Sequence, residues 1–249
     1  MSAPEYLGIS PVAYTSKASG KKAEIPASDV INMVAKANNY LLALKGLFKE
    51  LDFDIYKTLG QRNLSGFIGE VFSRVFAREA RGFVVNPHAD GRPDLLDIST
   101  EEALQHYHAK CFVRSKDGSL APNKSHLAPF KYGGIEVKAS IGNHPNDYKT
   151  LLKEDGNSDG FTVGTPRVKY LSSITYWGHH PDCDNLMGLY YDYYRELDGT
   201  PQILAVMHAE LDPAKDWSKV SIGKPGQPSS TRRRRKGASL GGSTRPTAG

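Results

Sequence analysis

The chain has 249 residues, 39% hydrophobic and 24% charged, a balance that excludes a wholly disordered protein and suffices for one α/β domain with a sizeable core. No apolar run approaches the ~20 residues that span a bilayer, and two cysteines, Cys111 and Cys183, are too few for a disulfide framework. The formal charge is +5, but Ser229–Gly249 carries six basic residues and no acid, which leaves Met1–Pro228 at −1; net charge alone does not mark a nucleic-acid binder.

Residues 1–27 are polar, with scattered Gly, Ser and Pro, and read as a flexible N-terminal arm without the apolar stretch of a signal peptide. The expected location is therefore cytoplasmic. Ser28-Asp29 reads as a helix N-cap. Behind it Val30, Val34, Ala37, Leu41, Leu44, Phe48 and Leu51 recur in steps of three and four, one apolar helix face. Gly60 reads as the end of the following connection. A second helix is predicted over Ser65–Ala80, with Phe67, Ile68, Val71, Phe72, Val75 and Phe76 apolar and Gly82 as its stop.

After Gly82 the pattern turns to strands. Phe83–Val85 is short and β-prone, and Arg92–Ile98 reads as a turn running into a strand. Residues 101–130 are polar and mixed, with a turn at Lys116-Asp117-Gly118. Tyr132–Ser140, Ile174–Trp177, Leu186–Tyr194 and Ile203–Leu211 are further predicted strands. Tyr190, Tyr191, Tyr193 and Tyr194 fit sheet packing, and Gly133-Gly134 reads as a bulge or a close approach of substrate backbone. From residue 223 onward Pro, Gly, Ser and Arg dominate, the composition of a disordered tail. The whole predicts one α/β domain over residues 28–222, a central mixed β-sheet flanked by helices, followed by a disordered basic tail over 223–249.

The informative residues are Pro93-Asp94 and Glu136-Val137-Lys138. On a strand, Glu136 and Lys138 project to one side and Val137 to the other. Asp94, at the edge of a neighbouring strand, is placed to reach the same side. Magnesium takes hard oxygen ligands, commonly one or two carboxylates completed by water and phosphate. Asp94, Glu136 and the backbone carbonyl of Val137 would make such a partial cage. A lysine beside them would offset the repulsion of the two acids, and orient a water or stabilise developing negative charge.

Pro93-Asp94 followed by Glu136-x-Lys138 resembles the PD-(D/E)xK nuclease superfamily, which includes many type II restriction endonucleases. Gly66-Phe67-Ile68-Gly69-Glu70 is similar to the acidic helix that often precedes its core strands. The resemblance covers roughly Gly66 to Ser140 by motif. It implies a restriction-endonuclease-like core, catalytic residues Asp94, Glu136, Lys138 and Glu70, and Mg2+. It also implies a double-stranded DNA substrate cut at a specific sequence, and a homodimer to match a palindromic site. The long first helix is one candidate for part of that interface, although packing on its own sheet explains its apolar face more simply. A repair or junction-resolving nuclease of the same superfamily, or a non-catalytic DNA-binding module, are the alternatives.

Two features depart from the simplest pattern. Glu136 follows Asp94 by 42 positions, which demands an insertion or an extra hairpin, with residues 101–130 as its material. Asp97 follows Asp94 closely and falls on the opposite face of a regular strand, so only one of them joins the site; Asp94, after the proline, is preferred. His179-His180-Pro181-Asp182-Cys183-Asp184 contains zinc-ligand types, but adjacent ligands do not readily converge on one metal, and a polar loop between strands is the simpler reading. Arg232, Arg233, Arg234, Arg235 and Lys236 read as a solubilising run, or as a sequence-independent contact to DNA phosphates.

Overall fold

The structure, a computed structural model, describes residues 8, 10–156, 162–178, 182–212, 216 and 232–233. Part of the expected N-terminal arm is a hairpin, β1 (Val12–Thr15) and β2 (Lys22–Ile25). Val12, Tyr14 and Ile25 are buried in the main core, and the Thr15 N–H donates to the Glu210 carboxylate. Four-residue strands with only three inward apolar side chains are hard to distinguish from a polar tail.

Helix α1 (Ala27–Lys49) begins just before the expected cap: the Pro26 carbonyl accepts from the N–H groups of Asp29 and Val30. Its Val30, Val34, Ala37 and Leu41 are buried, whereas Leu47, and Leu51 just past its end, are exposed. On the buried face Asn38 donates to the Ile203 carbonyl at 3.0 Å and accepts from the Ile203 N–H at 2.8 Å. Those bonds fall where a neighbouring strand pair shifts register, so a buried amide satisfies backbone groups at the irregularity.

Helix α2 (Ile55–Glu79) starts ten residues earlier than the sequence pattern indicates. The Asp54 side chain caps it, accepting from the N–H groups of Tyr56 and Lys57. Gly60 (φ 62°, ψ 167°) is an interruption within it, a conformation a glycine adopts at little cost, rather than the end of a connection.

Strands β3 (Phe83–Val85) and β4 (Leu95–Asp97) lead into the excursion between the two motif strands. It consists of α3 (Glu101–Lys110), a self-paired hairpin of β5 (Phe112–Arg114) and β6 (Leu120–Pro122), and a one-turn α4 (Lys124–Leu127). The extra hairpin required by the long spacing is thus present. Then follow β7 (Gly134–Ser140), α5 (Tyr148–Glu154), a two-residue β8 (Trp177–Gly178), β9 (Asn185–Tyr194) and β10 (Thr200–Glu210). The strand predicted over Ile174–Trp177 is largely absent: Tyr176 instead lays its ring over β9, where a Cβ on Gly188 would come within 2.5 Å of it. Arg232–Arg233 form a short β11 that pairs with β8; Arg234, Arg235 and Lys236 lie outside the described residues.

The central sheet is mixed, in the order β10-β9-β7-β4-β3. Only β7 and β9 run parallel. One face is the core. Ile135 and Val137 of β7 and Met187, Leu189, Tyr191 and Tyr193 of β9 pack with Met33, Ala37 and Leu41 of α1 and Ile68, Phe72 and Phe76 of α2. Tyr191 and Tyr193 of the tyrosine run are therefore core packing of the sheet, whereas Tyr190 is buried on the other face and Tyr194 is only partly buried. The opposite face carries Glu136, Lys138 and Ser140, in register with Leu186, Gly188 and Tyr190. Among the described residues no helix is long and apolar enough to cross a membrane.

Candidate active site

The pairing of β4 with β7 ends at Leu95 opposite Ile135. One residue earlier, the side chain of Asp94 takes over the role of the missing strand: its Oδ2 accepts from the Val137 N–H at 2.8 Å. An extended residue directs its N–H and C=O to the same side, so the Val137 carbonyl faces this edge too. The backbone around Asp94 is held from two directions. The Asn86 N–H donates to the Asp94 carbonyl, and the Asn86 side chain donates to the carbonyls of Pro93 and Leu127. Arg92 exchanges backbone bonds with Leu127 and Phe130, which fastens the end of the inserted segment to the motif.

Gly134 sets the separation of the two strands. Its φ is 148°, and a Cβ there would lie 1.8 Å from the Leu95 carbonyl oxygen. The close approach expected at Gly133-Gly134 is thus made by β4 itself rather than by a substrate.

Lys138 Nζ lies 2.5 Å from Glu136 Oε1 and 3.6 Å from Asp94 Oδ2, so one ammonium serves both carboxylates. The Glu136 side chain is 5% exposed, those of Lys138 and Asp94 27% and 31%. Burial, reinforced by the Glu136 charge, holds the Asp94 carboxyl above its ordinary range, against the pull of Lys138 and the Val137 N–H. For Lys138, burial opposes the charge, but Glu136 and Asp94 outweigh it and push the pKa above that of a free lysine. Two acids and one fixed ammonium leave the cluster one positive charge short.

Asp97 is placed elsewhere. It is buried, accepts from Ser16 Oγ at 2.5 Å and from the Ser99 N–H and hydroxyl, and so ties β4 to the loop of the N-terminal hairpin. Asp94, not Asp97, joins Glu136 and Lys138. Among the described residues no hydrogen bond or ion pair joins Glu70 to the group. Its carboxylate is exposed and lies 3.9 Å from Arg74 on the same helix, while the neighbouring Gly69 backs onto Val137 from the core side.

Sequence reasoning missed Cys183. It lies two residues before β9, is 4% exposed, and donates from Sγ to Glu136 Oε2 at 3.6 Å. The adjacent Asp182 accepts from Arg92 Nε at 3.0 Å, so this segment is pinned to the residues on either side of the site. The signal is topological: parallel pairing of Glu136 with Leu186 brings the approach to β9 alongside the acid. Nothing in the string His179–Asp184 reveals that register.

Among the described residues no three His, Cys, Asp or Glu side chains form a metal-holding group. The donor set nevertheless fits a hard divalent cation of the magnesium type, for which two carboxylates and a carbonyl oxygen suffice when water and phosphate complete the shell. The unbalanced charge at Asp94 and Glu136 favours the same ion. The chain matches no protein-family model, no curated protein and no solved structure.

Proposed function

We propose that the chain is a magnesium-dependent endonuclease that hydrolyses phosphodiester bonds in double-stranded DNA, of the sequence-specific type II restriction kind, with a PD-(D/E)xK-like site. The observation that supports this reading most is the convergence of Asp94, Glu136 and Lys138 around the free edge of β7 at Val137.

Asp94, Glu136 and the Val137 carbonyl would hold Mg2+. When bound, the ion supplies charge neutralisation at the scissile phosphate and a bound water of lowered pKa. The protein's own groups do the rest. The Val137 N–H fixes Asp94, and the two donors on Glu136 fix its carboxylate before any ligand arrives. Lys138, kept charged by the two acids, presents an ammonium that stabilises negative charge developing on the phosphate or orients the attacking water. The inserted α3–β5–β6 segment, whose C-terminal end at Leu127 and Phe130 is bonded to Arg92, would contact DNA beside the site. Arg232–Lys236 would add phosphate contacts without reading sequence. A homodimer would present two such sites to a two-fold symmetric duplex.

The test is incubation of phage DNA with the full chain and Mg2+, followed by sequencing of the ends. A set of fragments sharing one end sequence supports the reading. Ends without a common sequence, or cuts confined to branched DNA, move it to a repair or junction-resolving nuclease. Intact DNA across divalent ions removes it.

A further inference from the structure

Glu136 is a buried carboxylate whose two oxygens are both occupied: Oε1 by Lys138 Nζ at 2.5 Å and Oε2 by Cys183 Sγ at 3.6 Å. The thiol is not a packing accident of a loose loop. Cys183 is 4% exposed, and its neighbour Asp182 is held by Arg92, the residue two before Asp94. The loop entering β9 thus joins the Asp94 strand to the Glu136 strand through two side-chain contacts. Sγ is the donor of this pair, since a carboxylate oxygen only accepts.

We infer that Cys183 is a positioning residue for Glu136: its S–H holds Oε2 in place, which fixes the plane of the carboxylate and leaves Oε1 to be shared between Lys138 and a divalent cation. The inference rests on the proposed metal site and assigns to it a partner that the sequence motif lacks. Outer partners of metal-binding carboxylates orient the ligand, and their loss commonly costs about 10- to 100-fold in metal affinity. A thiol is a weak donor, so an effect at the lower end, roughly tenfold, is expected. Serine, a hydroxyl donor of similar shape, restores the bond.

The experiment has two readouts, neither of them cleavage. The first is the S–H stretching band of the full chain in the infrared, assigned to Cys183 by its loss in Cys183→Ser. In Glu136→Gln that band shifts toward the position of a weakly bonded thiol; an unmoved band overturns the contact. The second is Mn2+ affinity by electron paramagnetic resonance, without DNA. Cys183→Ala is expected to bind about tenfold more weakly than wild type, and Cys183→Ser within about twofold of it. Equal affinity in Cys183→Ala overturns the positioning role, as does an equally weakened Cys183→Ser. Wild-type protein that binds no Mn2+ overturns both the metal reading and this role, while the infrared band then shows separately whether the thiol contact exists.

Discussion

The two faces of β7 differ in kind although they alternate residue by residue. Ile135 and Val137 enter a core shared with Phe72 and Leu189, while Glu136 and Lys138 enter a charged cluster with Asp94 and Cys183. The apolar face gains from the removal of hydrocarbon from water, a non-directional term that tolerates adjustment. The charged face holds only through directed contacts, since a buried carboxylate without its ammonium carries an uncompensated charge. One strand therefore carries stability on one side and, in the proposed reading, chemistry on the other, and substitutions on the two sides should fail in different ways.

The largest effect is expected at Lys138→Met. It strands Glu136 without its ammonium, so unfolding in urea should come earlier by about 3–5 kcal/mol, and cleavage should disappear even from the molecules that remain folded. Phe72→Ala, on the other face, should cost a similar 3–5 kcal/mol, yet leave cleavage per folded molecule close to wild type. Cleavage rates normalised to the folded fraction separate the two. Equal normalised rates in both variants would erase the distinction between the faces.

Much of this division is legible in the sequence. The alternation Ile135-Glu136-Val137-Lys138 reads directly as two faces, and the apolar periodicity from Val30 to Leu41 gives the helix that covers one of them. Alternation also separates Asp94 from Asp97, and the preceding proline favours Asp94; the structure gives Asp97 a different task with Ser16 and Ser99. What stays hidden depends on contacts between distant segments. Cys183 meets Glu136 only because β9 pairs parallel to β7, a register set by no local residue. The N-terminal hairpin rests on three inward side chains among polar neighbours. Glu70 resembles a site residue by its flanking glycines, but helical geometry sends its carboxylate to Arg74.

His144, in the segment between β7 and α5, offers a pH test. His144, packed beside Tyr148, is lowered to a pKa of about 4 from its usual 6.5 by burial and by the Arg167 charge. Below pH 6.5 the unfolded chain takes up a proton that the folded chain refuses until about pH 4. Stability therefore falls as pH drops through that window, because the unfolded state binds more protons there. In His144→Gln this part of the acid sensitivity should vanish, read as a smaller difference between urea midpoints at pH 7 and pH 5. An unchanged difference would place the acid-sensitive group elsewhere.

The smallest effect is expected at Glu70→Ala. An exposed pair with Arg74 at i, i+4 contributes about 0.3–0.5 kcal/mol, and cleavage should stay within about twofold of wild type. A loss comparable to that of Lys138→Met would bring Glu70 into the site in the DNA-bound protein and extend the charged face onto α2.

The most direct test is Mg2+-dependent cleavage of phage DNA by wild type and by Glu136→Gln, with thermal unfolding of both proteins as the control for folding. Glutamine keeps the shape and a hydrogen-bond acceptor but removes the charge. Wild type should cut, and folded Glu136→Gln should cut at least about a hundredfold more slowly, the scale on which a single electrostatic contributor to a transition state acts. Cutting at the wild-type rate by Glu136→Gln would contradict the assignment of the site to the charged face of β7.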